Sequence, residues 1–95
     1  MYKVTVTFTR PSVDVSFWQP NASQILHNQE NYGFIRNRAI SDDGLVMTLE
    51  TFAATKELWD QYMAEGSNLE SRTARNTYNE ENGITKEVVF AGEVE

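Results

Sequence analysis

The chain contains no cysteine. That excludes disulfides, thiolate catalysis and cysteine-ligated metals, while leaving the redox setting open. His27 is the single histidine, so a metal site built on several histidines is excluded too, and no metal is expected. Positive charge is scarce: 8 basic residues face 14 acidic ones, for a net charge of -6. Such a surface repels phosphate backbones and anionic headgroups at long range, so neither nucleic acid nor membrane is an expected partner. No apolar run approaches the ~20 residues that cross a bilayer. The first residues alternate apolar side chains with threonine, unlike the apolar stretch of a signal peptide. The expected location is therefore the cytoplasm, or the host cytoplasm if the source is viral. Asn21-Ala22-Ser23 fits a glycosylation sequon, but without a secretion signal it reads as ordinary surface sequence.

What is present is the composition of one folded domain. Of the 95 residues, 40% are hydrophobic and 12% aromatic, enough for one modest core and too much for a disordered chain. Residues 1–95 read as a single α+β domain, with a loose acidic tail over 91–95. Tyr2, Val4, Val6 and Phe8 alternate with Lys3, Thr5, Thr7 and Thr9, which predicts a strand with one apolar and one threonine face. Pro11 to Trp18 has weak alternation, compatible with a short extended piece. After Pro20, the spacing predicts a short helix over about 21–30. Phe34 to Ile40 and Leu45 to Phe52 predict two strands joined by Asp42-Asp43-Gly44, a hairpin turn. Thr55 predicts the N-cap of a helix over 56–65, with Leu58, Trp59, Tyr62 and Met63 inward and Gly66 ending it. Ser67 and Glu70 match a capping box for a further helix to about Glu81, thin in apolar residues and so expected on the surface. Ile84 to Ala91 predicts the last strand. This order is the split βαβ pattern of a ferredoxin-like sheet with helices on one face. Val4, Val6, Phe8, Met47, Leu49, Leu58 and Tyr62 are the expected core.

A register for the hairpin follows from its charges. A three-residue loop pairing Ser41 with Leu45 sets Arg36 opposite Glu50 and Phe34 opposite Phe52, with Gly44 left-handed. It places Phe34, Arg36, Arg38, Ile40, Val46, Glu50 and Phe52 on the sheet face away from the helices, beside Thr5, Thr7 and Thr9. A contiguous face so poor in charge predicts an interface, and a two-fold axis makes it self-complementary. A homodimer is expected.

The run Phe34-Ile-Arg-Asn-Arg-Ala-Ile-Ser-Asp-Asp-Gly-Leu-Val-Met-Thr-Leu-Glu-Thr-Phe52, followed by Thr55-Lys-Glu-Leu-Trp-Asp-Gln-Tyr-Met63, resembles the middle of a dimeric α/β-barrel protein. It is similar to the antibiotic-biosynthesis-monooxygenase-like group, where a Glu-x-aromatic step leads into a helix with spaced aromatics. The resemblance implies a homodimeric ferredoxin-like fold with an open cleft and, in enzymatic members, cofactor-independent oxygenation. The chain departs from the group in its short first helix and in the segment Pro11 to Trp18.

The residues that can carry chemistry are few. His27 lacks a nucleophile-elbow partner, which reads as solvent-facing or gap-filling. Ser41, Asp42 and Asp43 lack the ligand spacing of a calcium loop, and turn chemistry explains them. Glu65, Glu70, Glu80 and Glu81 read as a solvated helix face. Arg36 and Arg38 among aromatics can hold an anionic or aromatic ligand, against the simpler reading of an Arg36–Glu50 ladder pair. The candidate ligand site is therefore Trp18, His27, Phe34, Arg36, Arg38 and Glu50, for a small organic molecule, with no cofactor expected. Two functions follow: a homodimeric structural or interaction module, or a small-molecule-binding, monooxygenase-like protein.

Overall fold

The structure, a computed structural model, describes residues 1–94. Strand β1 (Tyr2–Thr9) leads through an irregular segment to helix α1 (Ala22–Tyr32). Strands β2 (Ile35–Ile40) and β3 (Val46–Ala53) form the hairpin. Helices α2 (Lys56–Ala64) and α3 (Gly66–Asn82) follow, and β4 (Thr85–Glu93) closes the sheet. The strand order is β2-β3-β1-β4 and every neighbouring pair is antiparallel, the ferredoxin-like arrangement. Pro11 to Trp18 forms turns and bends rather than a strand. The expected loose tail is strand through Glu93, and the Val94 N–H donates to the Met1 carbonyl at 2.7 Å; residue 95 lies outside the described residues.

Local chemistry sets the helix ends. The Asn21 side chain accepts the Ser23 N–H at 2.8 Å and starts α1. Thr55 does the same for α2, accepting the Leu58 N–H at 3.1 Å. The capping box expected at Ser67 and Glu70 does not form. Instead α3 starts at Gly66 with no side-chain cap, because Glu65 alone separates the two helices in extended backbone. The Glu65 carboxylate, not used as a cap, is free to reach α1.

The hairpin register differs from expectation by one residue. Ser41 closes the loop with Val46, not Leu45, its N–H donating to the Val46 carbonyl at 2.9 Å. The longer loop is held by side chains: Ser41 Oγ accepts the Val46 N–H, and the Asp43 carboxylate accepts the Leu45 N–H, each at 3.0 Å. Gly44 is left-handed, with φ 78°. Arg36 therefore lies opposite Thr51, Arg38 opposite Leu49, and Ile35 opposite Phe52. A one-residue shift sends each β2 side chain to the other face. Phe34, Arg36 and Arg38 accordingly share the helix-covered face with Met47, Leu49 and Thr51. Glu50 and Phe52 stay on the bare face, where Glu50 pairs with Lys3 at 2.6 Å instead of Arg36.

Two apolar clusters fill the space between sheet and helices. One joins Tyr2, Val4, Tyr32, Phe34, Ala53, Trp59 and Tyr62. Its aromatic centre stacks Phe34 on Trp59 with ring centroids 5.8 Å apart. The other joins Phe8, Phe17, Met47 and Ile84, with Val15 and Tyr78 against it. Val4, Phe8, Met47 and Tyr62 are buried as expected, whereas Val6, Leu49 and Leu58 are only half-buried. Leu49 is half-buried because it borders a cavity rather than a packed layer.

Candidate functional site: an arginine-lined cavity between sheet and helices

A cavity of about 260 Å³ opens between the two clusters. Phe8, Phe17, Met47, Leu49 and Tyr62 supply apolar walls. The polar lining comes from two directions. Arg36 and Arg38 project from β2, on the face created by the shifted register. Asn68, Arg72, Arg75 and Asn79 project from α3 at successive helical turns, so one face of that helix delivers all of them. Asn28 and Gln24 come from α1, and Trp18 from the irregular segment forms part of the rim.

That segment is fixed rather than loosely draped. The fifth arginine, Arg10, donates from Nε to the Gly44 carbonyl at 2.7 Å and from Nη1 to the Val15 carbonyl at 3.0 Å. Its guanidinium lies over the Phe17 ring at 4.5 Å. The Tyr78 hydroxyl donates to the Ser16 carbonyl at 2.6 Å. Phe17 and Trp18 are thereby held against the cavity.

The electrostatics are unusual for so acidic a chain. Four of its five arginines line this one cavity, and no Asp or Glu lines it. Among the described residues, the side-chain ion pairs are Lys3–Glu50, His27–Glu65 and Lys56–Asp60; no arginine takes part. Burial pulls the Arg75 guanidinium below its ordinary value; Tyr62 opposes this, while the Arg72 and Arg36 charges add to it. Lys86 is also held down, by burial first and then by Arg75 and Arg72. Arg72 donates to the Met63 carbonyl and Arg38 Nε to the Met47 sulfur at 3.0 Å. Arg72 Nη1 and Arg75 Nε are buried donors without a partner, and Asn28 Oδ1 is a buried acceptor without one. Unpaired buried polar atoms are costly in a folded protein, each on the order of 1–3 kcal/mol, and all three belong to residues that line this cavity.

Of the six residues expected to form a site, Trp18, Arg36 and Arg38 come together here. Phe34 is core, 5% exposed and stacked on Trp59. Glu50 is on the opposite sheet face. His27 neither faces solvent freely nor fills a gap: it meets Glu65 at 2.6 Å and borders a shallow groove outside the cavity. Glu65 also accepts from the Tyr32 hydroxyl and from Ser67 at 2.8 Å, so it is not a solvated helix-face acid. Hydrogen bonding to Glu65 pushes the Tyr32 hydroxyl up to about 12, with burial and the Glu65 charge adding to it. The same bond, with Ser67 and His27 helping against desolvation, holds the Glu65 carboxyl below its ordinary value. Arg72, Arg75 and Asn28 were not among the expected site residues. Their signal was the polar stripe Asn68, Arg72, Arg75, Asn79, which has core spacing but no apolar residue.

No family model, curated protein or solved structure matches this chain. Among the described residues, no helix is long and apolar enough to cross a membrane, and no acidic or histidine cluster has a metal-holding arrangement.

Proposed function

We propose that this protein binds a small organic anion in the cavity between its sheet and its helices. The observation that carries this reading is the gathering of Arg36, Arg38, Arg72 and Arg75 around one cavity with no carboxylate partner. Arginine presents planar paired donors that match a carboxylate or phosphate, and a partly dry setting strengthens each bond. Phe8, Phe17, Met47 and Leu49 add apolar walls suited to a ring or short hydrocarbon. No His, Asp or Glu lines the cavity, so its side chains suit holding and orienting an anion better than moving a proton. The test is thermal unfolding with benzoate, phthalate and, as a cationic control, benzylamine. Benzoate and phthalate are expected to raise the melting temperature in proportion to log concentration at saturation, and benzylamine to leave it unchanged. Equal effects of all three, or none, would contradict the reading.

A second reading concerns the bare sheet face and is favoured by its composition. Thr5, Thr7, Thr9, Ile35, Ala39, Val46, Thr48, Phe52 and Val89 lie on it by register together with Asn37 and Glu87, and its Lys3 and Glu50 pair at 2.6 Å. Phe34, Arg36, Arg38 and Ile40, expected there, face the helices instead. A second copy of the chain fits this face, since its apolar and threonine side chains outnumber its charges. The homodimeric interaction module and the ligand cavity use opposite faces of one sheet and are compatible. Light scattering is expected to give twice 10.9 kDa, and Phe52→Asp to return it to 10.9 kDa. A wild-type monomer at micromolar concentration would remove this reading and leave the cavity untouched.

A further inference from the structure

We infer that the anion bound in the arginine cavity also carries a hydrogen-bond donor, a hydroxyl or N–H, and that Asn28 Oδ1 is the acceptor that selects it. This rests on the anion-binding reading and specifies its ligand.

The inference comes from a chain of amides whose orientation is forced from one end. Glu65 is ionised and can only accept. Asn68 Nδ2 faces it at 3.5 Å, which turns Asn68 Oδ1 the other way. There Oδ1 accepts from Gln24 Nε2 at 2.8 Å and from Asn28 Nδ2 at 3.0 Å. Rotating the Asn28 amide by half a turn would set oxygen against oxygen. Asn28 must therefore spend its NH2 on Asn68 and keep its carbonyl oxygen for something else. Asn28 is 4% exposed, its Oδ1 has no partner, and the residue lines the cavity.

The two unpaired arginine donors, Arg72 Nη1 and Arg75 Nε, define the complementary requirement. An occupant that satisfies all three atoms needs an anionic acceptor for the arginines and a donor for Asn28. The volume of about 260 Å³ is below the usual span of drug-sized sites and suits a single ring with one or two substituents. The class is a monocyclic hydroxy- or amino-carboxylate. A site with a dedicated acceptor also discriminates: a ligand lacking the donor leaves that acceptor unpaired on binding.

The test is calorimetric titration of the wild-type protein with benzoate, 3-hydroxybenzoate, 4-hydroxybenzoate and 3-aminobenzoate at one ionic strength. At least one donor-bearing isomer is expected to bind about 10-fold or more tightly than benzoate. In Asn28→Leu that advantage is expected to vanish, the donor-bearing isomers binding the variant no more than a few-fold more tightly than benzoate binds it. If Asn28→Leu does not fold, the wild-type ratio decides alone. Donor-bearing ligands no tighter than benzoate would overturn the inference and leave the anion site standing. Absence of binding by every carboxylate, benzoate included, would overturn the anion site itself.

Discussion

Two polar groups of side chains lie on either side of Asn68, and they are built to opposite specifications. Around Glu65, every strong partner is matched: Tyr32, His27, Ser67 and Asn68 converge on one carboxylate. Around Arg72 and Arg75, like charges share a cavity and three buried polar atoms have no partner. The first network ties α1 to the α2–α3 junction, and its residues satisfy one another. The second leaves hydrogen-bonding capacity unspent in a place where water competes poorly. A closed network serves the fold, whereas an open one lowers stability for the sake of what it binds.

The largest expected effect falls in the aromatic core, which belongs to neither. Phe34→Ala should cost ~3–5 kcal/mol in denaturant unfolding, as a stacked core ring. A cost below ~1 kcal/mol would restore Phe34 as a site residue.

Next is the shared member. Asn68→Ala removes the acceptor of Gln24 and Asn28 and should cost ~1–3 kcal/mol, measured the same way. A neutral variant would mean that the closed network does not contribute to the fold.

The cavity should respond in the opposite sense. Arg75→Met, apolar and of similar length, is expected to leave the ligand-free protein unchanged or up to ~1 kcal/mol more stable. It should also abolish the benzoate-induced rise in melting temperature. Clear destabilisation with benzoate stabilisation retained would place Arg75 in the closed, structural class.

The smallest effects are pH-dependent and belong to the closed network alone. Glu65 is held below its ordinary value of 4.5 in the fold, chiefly by Tyr32. Its contribution is therefore present above pH 4.5 and lost as pH falls through the lowered folded value. Tyr32 is raised from 10.0 to about 12, so its contribution is present below pH 10 and lost as pH rises toward 12. Glu65→Gln should flatten the acid limb of the stability profile and Tyr32→Phe the alkaline limb, by equilibrium unfolding against pH. Unchanged limbs in both variants would show that the carboxylate and hydroxyl do not interact in solution.

Much of this molecule was legible in its sequence, and the failures have physical causes. Alternation in β1 and the Thr55 cap specified their elements closely, since each depends on local chemistry. The hairpin register did not follow from cross-strand charge pairing. It was decided by Ser41 and Asp43, whose side chains satisfy a longer loop in place of the directly opposed Arg36–Glu50 pair. That one residue of shift carried Arg36 and Arg38 from the bare face to the covered one. The other half of the cavity was hidden by an assumption about helices. Leu69, Ala74 and Tyr78 made α3 look like a surface helix, but its inward face is Asn68, Arg72, Arg75 and Asn79. A polar stripe at core spacing in an acidic protein was the available signal. His27 reads as solvent-facing or gap-filling in the sequence because its partner, Glu65, is 38 residues away.

The most direct test of the open cavity uses the arginines themselves. Their Nε–H groups give separate proton–nitrogen correlations in 15N-labelled protein at mildly acidic pH. Arg75 Nε is buried without a partner, while Arg10 Nε is already bonded to the Gly44 carbonyl at 2.7 Å. On titration with benzoate, the Arg75 signal is expected to move and saturate, with Arg72 following and Arg10 unmoved. If Arg75 and Arg10 shift together without saturating, or neither shifts, the cavity is not an anion site.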